Sequence, residues 1–232
     1  MDSEPGVSPR PTMILTHGYG DSRAAWEAQV RAFTPWFDIR TWDLPGHGDR
    51  HGSVETDADI GTTTAELEAL VAQASRPVVL VGHSVGGYVA LRCALTTAAP
   101  VLGVVLISTG PGFRSHTGIT RWNVMIDRMT SALSLPAKTA RVVRMTDFVV
   151  AEGLPGSDLP TLVVRGAEDR QVYLDGGAYI AARMKRARLC DVAGAGHDPH
   201  RTHASEVNAA ITQFVAGLWP ARGRAPSRPD GR

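Results

Sequence analysis

The sequence contains little cysteine and no long hydrophobic run. Its 232 residues include two cysteines, Cys93 and Cys190. A chain of this length can bury a sizeable core without a disulfide, so we expect a reducing, cytoplasmic location, with pairing of the two thiols left open. No apolar run reaches the length of about 18 residues that a membrane-spanning helix needs. Met1 to Arg10 also lacks the positive start and apolar stretch of a secretory signal.

An excess of charge of either sign is missing as well. Lysine and arginine number 24 against 23 acidic residues, a formal net charge of +1. Proteins that bind nucleic acid or an anionic membrane usually carry an excess of basic residues, so we expect neither partner here. We expect a small-molecule substrate instead. The sequence predicts a flexible N-terminus over 1–10, a single domain over 11–220, and a disordered tail over 221–232, rich in proline, arginine and glycine. It does not predict an oligomeric state.

Short apolar runs alternate with segments of helical periodicity along most of the chain. This pattern is typical of an α/β fold, in which helices cover both faces of a mostly parallel sheet. About six strands are predicted, at Thr12–Thr16, Asp38–Asp43, Pro77–Val81, Leu102–Ser108, Thr161–Arg165 and Ala187–Val192. The helices are expected at Ala24–Phe33, Asp57–Ala74, Gly86–Thr97, Tyr173–Lys185 and Ala204–Leu218.

The segment 110–159 interrupts the alternation. It predicts two helices, Thr120–Leu133 and Pro136–Glu152, which form a short lid. Ligands of open α/β sheets bind at the carboxyl ends of the strands, where we expect this lid to lie.

The strongest local signal is the hexapeptide Gly82-His83-Ser84-Val85-Gly86-Gly87, which ends an apolar strand and opens a helix. A serine on such a sharp turn needs small neighbours so that strand and helix can pack closely. The turn lifts the hydroxyl off the sheet and aims the helix start at the reaction centre. We therefore predict that Ser84 is a nucleophile.

A serine hydroxyl needs a base, and the base needs an orienting carboxylate. His197 is the predicted base, because it stands in a glycine-rich loop just after the last predicted strand. Asp169, just beyond the strand Thr161–Arg165, is the predicted orienting acid, and its neighbour Glu168 is the less favoured choice. A tetrahedral oxyanion would accept hydrogen bonds from the amides of Val85 and Tyr19.

Together these motifs resemble the α/β-hydrolase superfamily, in its branch of small-lid serine esterases and lactonases. The matching pieces include His17-Gly18-Tyr19-Gly20, Asp43 to Gly48, Gly82 to Gly87, Gly166 to Asp169 and Gly196-His197. The order Ser84, Asp169, His197 is the order of that superfamily. The resemblance implies a three-layer sandwich, and the usual N-terminal antiparallel strand pair has no room here.

The resemblance also implies a serine hydrolase that needs no cofactor and cleaves a small carboxylic ester, thioester or lactone. The same residues are compatible with carbon–carbon bond hydrolysis, a lyase reaction or perhydrolysis, and a non-catalytic ligand receptor is a further alternative.

Other residues near these motifs have competing interpretations. His17, Asp43 and His47 are expected to fix loop geometry, and His83 is expected to pack away from the site. In the lid, Trp122, Met125 and Met129 recur at helical spacing and are predicted to bind substrate, with plain packing of the lid as the alternative. His197, His200 and His203 are not predicted to bind a metal, because a base cannot also be a ligand.

Overall fold

The computed structural model describes residues 10–218. The predicted flexible start at 1–10 therefore lies almost entirely outside the described residues, and the predicted tail at 221–232 lies wholly outside them. Within residues 10–218, no helix combines the length and the apolar character needed to cross a membrane.

A six-stranded sheet forms the centre of residues 10–218, and all of its strand pairs are parallel. Its spatial order is β2-β1-β3-β4-β5-β6. The predicted α/β fold and strand number are thus confirmed, and each strand end lies within two residues of its predicted position. The strands are β1 (Thr12–Thr16), β2 (Asp38–Trp42), β3 (Val78–His83), β4 (Val101–Ile107), β5 (Thr161–Gly166) and β6 (Ala187–Val192).

Helices cover both faces of this sheet. The α-helices of residues 10–218 are α1 (Glu27–Phe33), α2 (Ile60–Ala72), α3 (Val85–Thr96), α4 (His116–Ala132), α5 (Val149–Gly153), α6 (Gln171–Arg183), α7 (Pro199–Thr202) and α8 (Ala204–Ala216). Short 3-10 helices occupy Arg23–Trp26, Gly48–Arg50 and Ala137–Val143.

Two hydrophobic cores lie on the opposite faces of the sheet. In β3, Leu80 packs into the core beneath α2, α3 and α6, whereas Val79 and Val81 pack into the core beneath α1 and α8. All three side chains are fully buried. A strand that is apolar at every position can be buried on both faces, which is why β3 occupies a central place in the sheet.

Helix α2 starts later than the periodicity predicts, and its cap explains the start. The Asp59 side chain accepts a hydrogen bond from the Thr62 amide, and the Thr62 hydroxyl accepts one from the Asp59 amide. This capping box satisfies two backbone N–H groups at the helix start, so the helix begins at Ile60.

The lid segment contains one long helix, α4, followed by a broken stretch. The second predicted helix does not run unbroken over Pro136–Glu152: a 3-10 helix ends at Val143, and α5 begins at Val149. The cause lies on α4, where the Asn123 amide bonds both backbone groups of Met145, at 3.0 and 3.1 Å. A side chain has thus taken the backbone partners that a continuous helix would use.

Candidate active site

Ser84 lies at the turn between β3 and α3, in a backbone conformation that few residues adopt. Its φ of 52° and ψ of −122° place it in a sparsely populated region, which costs about 1–3 kcal/mol. A Cβ on Gly82 would lie 2.3 Å from the Gly86 oxygen, and one on Gly86 would lie 2.2 Å from the His17 oxygen. Strand and helix can approach this closely only because these two positions carry no side chain.

A continuous chain of hydrogen bonds joins Ser84, His197 and Asp169. The Ser84 Oγ lies 3.1 Å from the His197 Nε2. The His197 Nδ1 lies 2.9 Å from Oδ2 and 3.1 Å from Oδ1 of Asp169. The three predicted residues come from loops after β3, β5 and β6, which end at the same edge of the sheet.

The carboxylate and the imidazole are each held by neighbouring groups. Asp169 is buried and accepts a hydrogen bond of 2.7 Å from the Arg170 amide, whereas Glu168 is exposed. The His197 carbonyl lies 2.9 Å from the His83 Nε2. His83 therefore supports the loop that carries His197. The sequence predicted that His83 would pack away from the site and did not indicate this contact.

The amides of Tyr19 and Val85, predicted to stabilise an oxyanion, make no hydrogen bond within residues 10–218. Val85 is the first residue of α3, where intrahelical partners for an amide do not exist. Tyr19 is anchored through its side chain, since its hydroxyl lies 2.5 Å from the Thr130 Oγ1 on α4. Both amides are therefore available to a ligand oxygen.

His17 and Asp43 hold the loop that carries Tyr19. The Leu44 amide donates to the His17 Nε2 at 3.0 Å, so the ring hydrogen is on Nδ1 and is donated to the Gly18 oxygen at 2.7 Å. Asp43 accepts from the Arg23 amide at 2.7 Å and also from the Asp49 amide. Both residues act on loop geometry, as the sequence predicted.

For His47, in the loop that follows β2, we expect a loss of stability in mild acid. Burial lowers its pKa from the ordinary value to about 4. Between about pH 6.5 and pH 4 the unfolded chain binds a proton that the folded protein does not, so stability falls as the pH falls. We expect His47 to account for a loss of about 3 kcal/mol across that window.

The measurement is urea unfolding at pH 7 and pH 4.5. The variant His47→Asn keeps a donor for the Pro45 oxygen, which His47 Nδ1 contacts at 2.9 Å, and should lose less stability between the two pH values than the wild type. The exposed His51→Asn serves as the control and should behave as the wild type. An equal pH dependence of all three proteins would contradict the assignment.

One group of three potential metal ligands lies near His197 within residues 10–218. Ligand atoms of His83, Asp198 and His200 all lie within 4.8 Å of one another. The rings of His83 and His200 pack against each other with centroids 4.3 Å apart, and His200 packs on Trp26 at 4.7 Å. Burial lowers the pKa of both histidines, so both rings are neutral at pH 7. This packing indicates that the two rings are structural support for the loop that carries His197.

A cavity of about 260 Å³ opens next to Ser84. Five aromatic side chains are among its lining residues: Tyr88, Phe113, Trp122, Tyr173 and Tyr179. A larger hollow of about 360 Å³ lies over β2 and α2 and contains none of the residues around Ser84. The smaller cavity is the relevant one, because it contains the only strained serine that is hydrogen-bonded to an imidazole in residues 10–218.

Comparison with known proteins identifies the family of this chain. A family model described as the alpha/beta hydrolase family matches residues 13–210 of this chain. The chain belongs to the alpha/beta hydrolase family.

Within this family, several relatives resemble the chain over most of its length. The pimeloyl-(acyl-carrier protein) methyl ester esterase of Xanthomonas oryzae is 26% identical over 251 residues, covering 90% of this chain and 96% of the relative. Two solved structures share the fold. The enol-lactonase of Burkholderia xenovorans is 19% identical with a TM-score of 0.72, covering 90% and 92% of the two chains. A thermophilic esterase of Thermogutta terrifontis is 21% identical with a TM-score of 0.73, covering 90% and 91%.

In this hydrolase, the three lid residues predicted to bind substrate do not share one location. Trp122 lines the cavity, and its indole N–H donates to the Val143 oxygen at 3.0 Å. Met125 and Met129 do not line it: Met125 is 38% exposed, and Met129 packs against the core beneath the lid. The buried residues of α4 are Ile119, Ile126 and Thr130, and the exposed Met125 is not one of them.

Tyr173 of the hydrolase lies at the centre of the site, although the sequence did not indicate a role for it. Its ring packs on the His197 ring with centroids 4.2 Å apart. Its position four residues after Asp169, in the first turn of α6, was the available signal. That signal was weak, because a tyrosine at a helix start is ordinary.

Proposed function

We propose that this protein is a serine hydrolase that cleaves a small carboxylic ester, thioester or lactone through an acyl-enzyme on Ser84. The observation that carries the proposal is the unbroken hydrogen-bonded chain from the Ser84 Oγ through His197 to the buried Asp169. A nucleophile bonded to a base that is itself oriented by a carboxylate is the arrangement that acyl transfer requires.

Each residue has a defined step in this mechanism. The Ser84 Oγ attacks the carbonyl carbon while the His197 Nε2 takes its proton, and Asp169 holds the Nδ1 tautomer and stabilises the imidazolium. The amides of Val85 and Tyr19 stabilise the negative oxygen. The imidazolium then protonates the leaving group. Water activated by the same imidazole releases the acyl group, and no cofactor is required.

The cavity supports a small substrate with an apolar acyl group. Its volume of about 260 Å³ is below the range of about 300–1,000 Å³ typical of pockets for drug-sized ligands. Five aromatic side chains line it together with Val85, Met145 and Val172, and such side chains favour apolar groups. Relatives named as a methyl ester esterase and an enol-lactonase support the ester and lactone classes. Both cysteines are free, which supports the cytoplasmic location that we also propose.

Labelling with a fluorophosphonate probe tests the nucleophile, and a substrate panel tests the reaction. We expect the folded wild type to be labelled on Ser84 and Ser84→Ala to remain unlabelled. The matched control is Ser131→Ala, an exposed serine of α4, which should label as the wild type does.

The panel contains esters, thioesters and lactones with small acyl groups, together with a β-diketone. Turnover of one of the first three classes is the expected result. Turnover confined to the β-diketone would contradict the ester assignment in favour of carbon–carbon bond hydrolysis. A wild type that neither labels nor turns over any of these compounds would contradict the proposal as a whole.

A further inference from the structure

Tyr173 packs against His197 and lines the cavity that opens next to Ser84. Its ring packs on the His197 ring at 4.2 Å between centroids, with the planes tilted by 40°. Its hydroxyl accepts a hydrogen bond from the Arg170 Nη2 at 3.2 Å. It also lines the cavity of about 260 Å³ next to Ser84. A polar group in this position contacts any substrate bound to Ser84.

Arg170 determines the direction of the hydrogen bond that the Tyr173 hydroxyl can make. The Arg170 Nη2 donates to the Tyr173 oxygen at 3.2 Å, and the guanidinium carbon lies 4.8 Å from the centre of the ring. A guanidinium only donates, so the Tyr173 oxygen is the acceptor there and its own hydrogen points elsewhere. Burial raises the pKa of Tyr173, so the phenol keeps that hydrogen at neutral pH.

Ser84 donates its own hydrogen in the free enzyme. The Asp169 carboxylate takes the His197 Nδ1 hydrogen, so the Nε2 accepts the Ser84 hydrogen at 3.1 Å. The lone pairs of the Ser84 Oγ then remain for attack on the carbonyl carbon. As this attack proceeds, the charge that develops on the substrate offers an acceptor to the Tyr173 hydrogen.

We propose that Tyr173 is a further catalytic residue of this site, whose hydroxyl donates to the leaving-group oxygen of the substrate as the acyl-enzyme forms. The inference rests on the proposed function. The carbonyl oxygen already has two donors, the amides of Val85 and Tyr19. The Tyr173 ring lies against His197, which delivers a proton to the leaving oxygen. The leaving oxygen is therefore the acceptor that remains for the Tyr173 hydroxyl.

The step balances without a further reactant. The bond from the Ser84 Oγ to the acyl carbon forms, the bond from that carbon to the leaving oxygen breaks, and its electron pair goes to the leaving oxygen. That oxygen takes the proton that the His197 Nε2 received from Ser84. Tyr173 keeps its own proton and lowers the energy of the negative charge that develops on the leaving oxygen.

The test compares Tyr173→Phe with the wild type on two esters of one acyl group, an ethyl ester and a 4-nitrophenyl ester. Because a hydrogen bond to a charged oxygen is lost, we expect kcat/KM for the ethyl ester to fall about 10- to 100-fold. For the nitrophenyl ester, whose leaving group stabilises its own charge, the fall should be less than about threefold. A merely structural role for the phenol would lower both values alike.

Two further variants make the result specific. Tyr179→Phe removes a hydroxyl from the same cavity, one that accepts a hydrogen bond from Arg114 at 3.0 Å. This variant should leave the ratio of the kcat/KM values for the two esters unchanged. Arg170→Met keeps a long side chain but removes the donor that directs Tyr173. It should lower kcat/KM for the ethyl ester selectively, by a smaller factor than Tyr173→Phe does. Equal effects of Tyr173→Phe on both esters, or no effect on either, would overturn the inference.

This failure is distinguishable from failure of the proposed function. If the wild type is labelled by the fluorophosphonate on Ser84 and hydrolyses both esters, the proposed function stands whatever Tyr173→Phe does. If the wild type is not labelled and turns over no ester, thioester or lactone, the proposed function fails, and the role of Tyr173 is overturned with it. Equal melting temperatures of Tyr173→Phe and the wild type exclude unfolding as the cause of a lower rate.

Discussion

Replacing Ser84 with alanine is expected to lower kcat by about 10⁴–10⁶-fold on any ester that the wild type hydrolyses. The nucleophilic oxygen is lost, and the chain of hydrogen bonds that begins at the His197 Nε2, 3.1 Å away, loses its first member. The folded structure should survive, because alanine and serine differ at this turn only by one oxygen, and the strain of the positive φ is the same for both. Steady-state kinetics with matched melting temperatures measures the effect.

The companion variant His197→Ala makes this prediction sharper. Residues that act as one unit give losses that do not add, so His197→Ala and the double variant should each be about as slow as Ser84→Ala alone. Rates above the uncatalysed reaction that remain in all three variants would come from the amides of Val85 and Tyr19 and from binding. Losses that multiply in the double variant would contradict a shared role, and a Ser84→Ala rate near that of the wild type would exclude Ser84 as the nucleophile.

The sheet could be predicted closely because its signals are local. Val78 to Val81 are apolar at successive positions, and only a strand covered on both faces buries all of them. The end of β2 was less clear. Asp43 was included in the predicted strand, but its carboxylate accepts two backbone amides of the following loop, and the strand ends at Trp42. Such a contact is not visible in a pattern of apolar residues.

The lid was predicted less well, because its structure depends on contacts between distant residues. The residues of Pro136–Glu152 are compatible with a helix, yet Asn123 binds the backbone of Met145 and breaks it. The spacing of Trp122 and Met125 suggests a common face, but only Trp122 reaches the cavity. Sequence spacing describes which residues share a helix face and leaves open which part of the neighbouring structure that face meets.

The same limit applies to the candidate site. Ser84, Asp169 and His197 stand in motifs with recognisable turns, so each could be assigned from its own neighbourhood. His83 and Tyr173 gain their roles only where the loops after β3, β5 and β6 meet, since each contacts a residue far away in the chain. No short motif contains either contact, and periodicity describes Tyr173 only as the start of a helix.

Asp169→Asn is expected to lower kcat about 10⁴-fold while changing stability little. The carboxylate accepts the His197 Nδ1 hydrogen at 2.9 Å and keeps Nε2 free to accept from Ser84. An asparagine amide can donate to Nδ1 instead, which moves the ring hydrogen to Nε2, and a protonated Nε2 cannot take the serine proton. The asparagine oxygen can still accept the 2.7 Å hydrogen bond from the Arg170 amide, so the turn is preserved.

The neighbouring Glu168→Gln is the matched control. It also removes one negative charge, but at an exposed position next to Asp169 in the sequence. We expect its kcat to stay within about twofold of the wild type, as for surface substitutions that touch no reacting group. Steady-state kinetics and thermal unfolding of both variants measure the contrast. If Glu168→Gln lost activity and Asp169→Asn kept it, the orienting acid would be Glu168, and the hydrogen bonds between Asp169 and His197 would have no catalytic role.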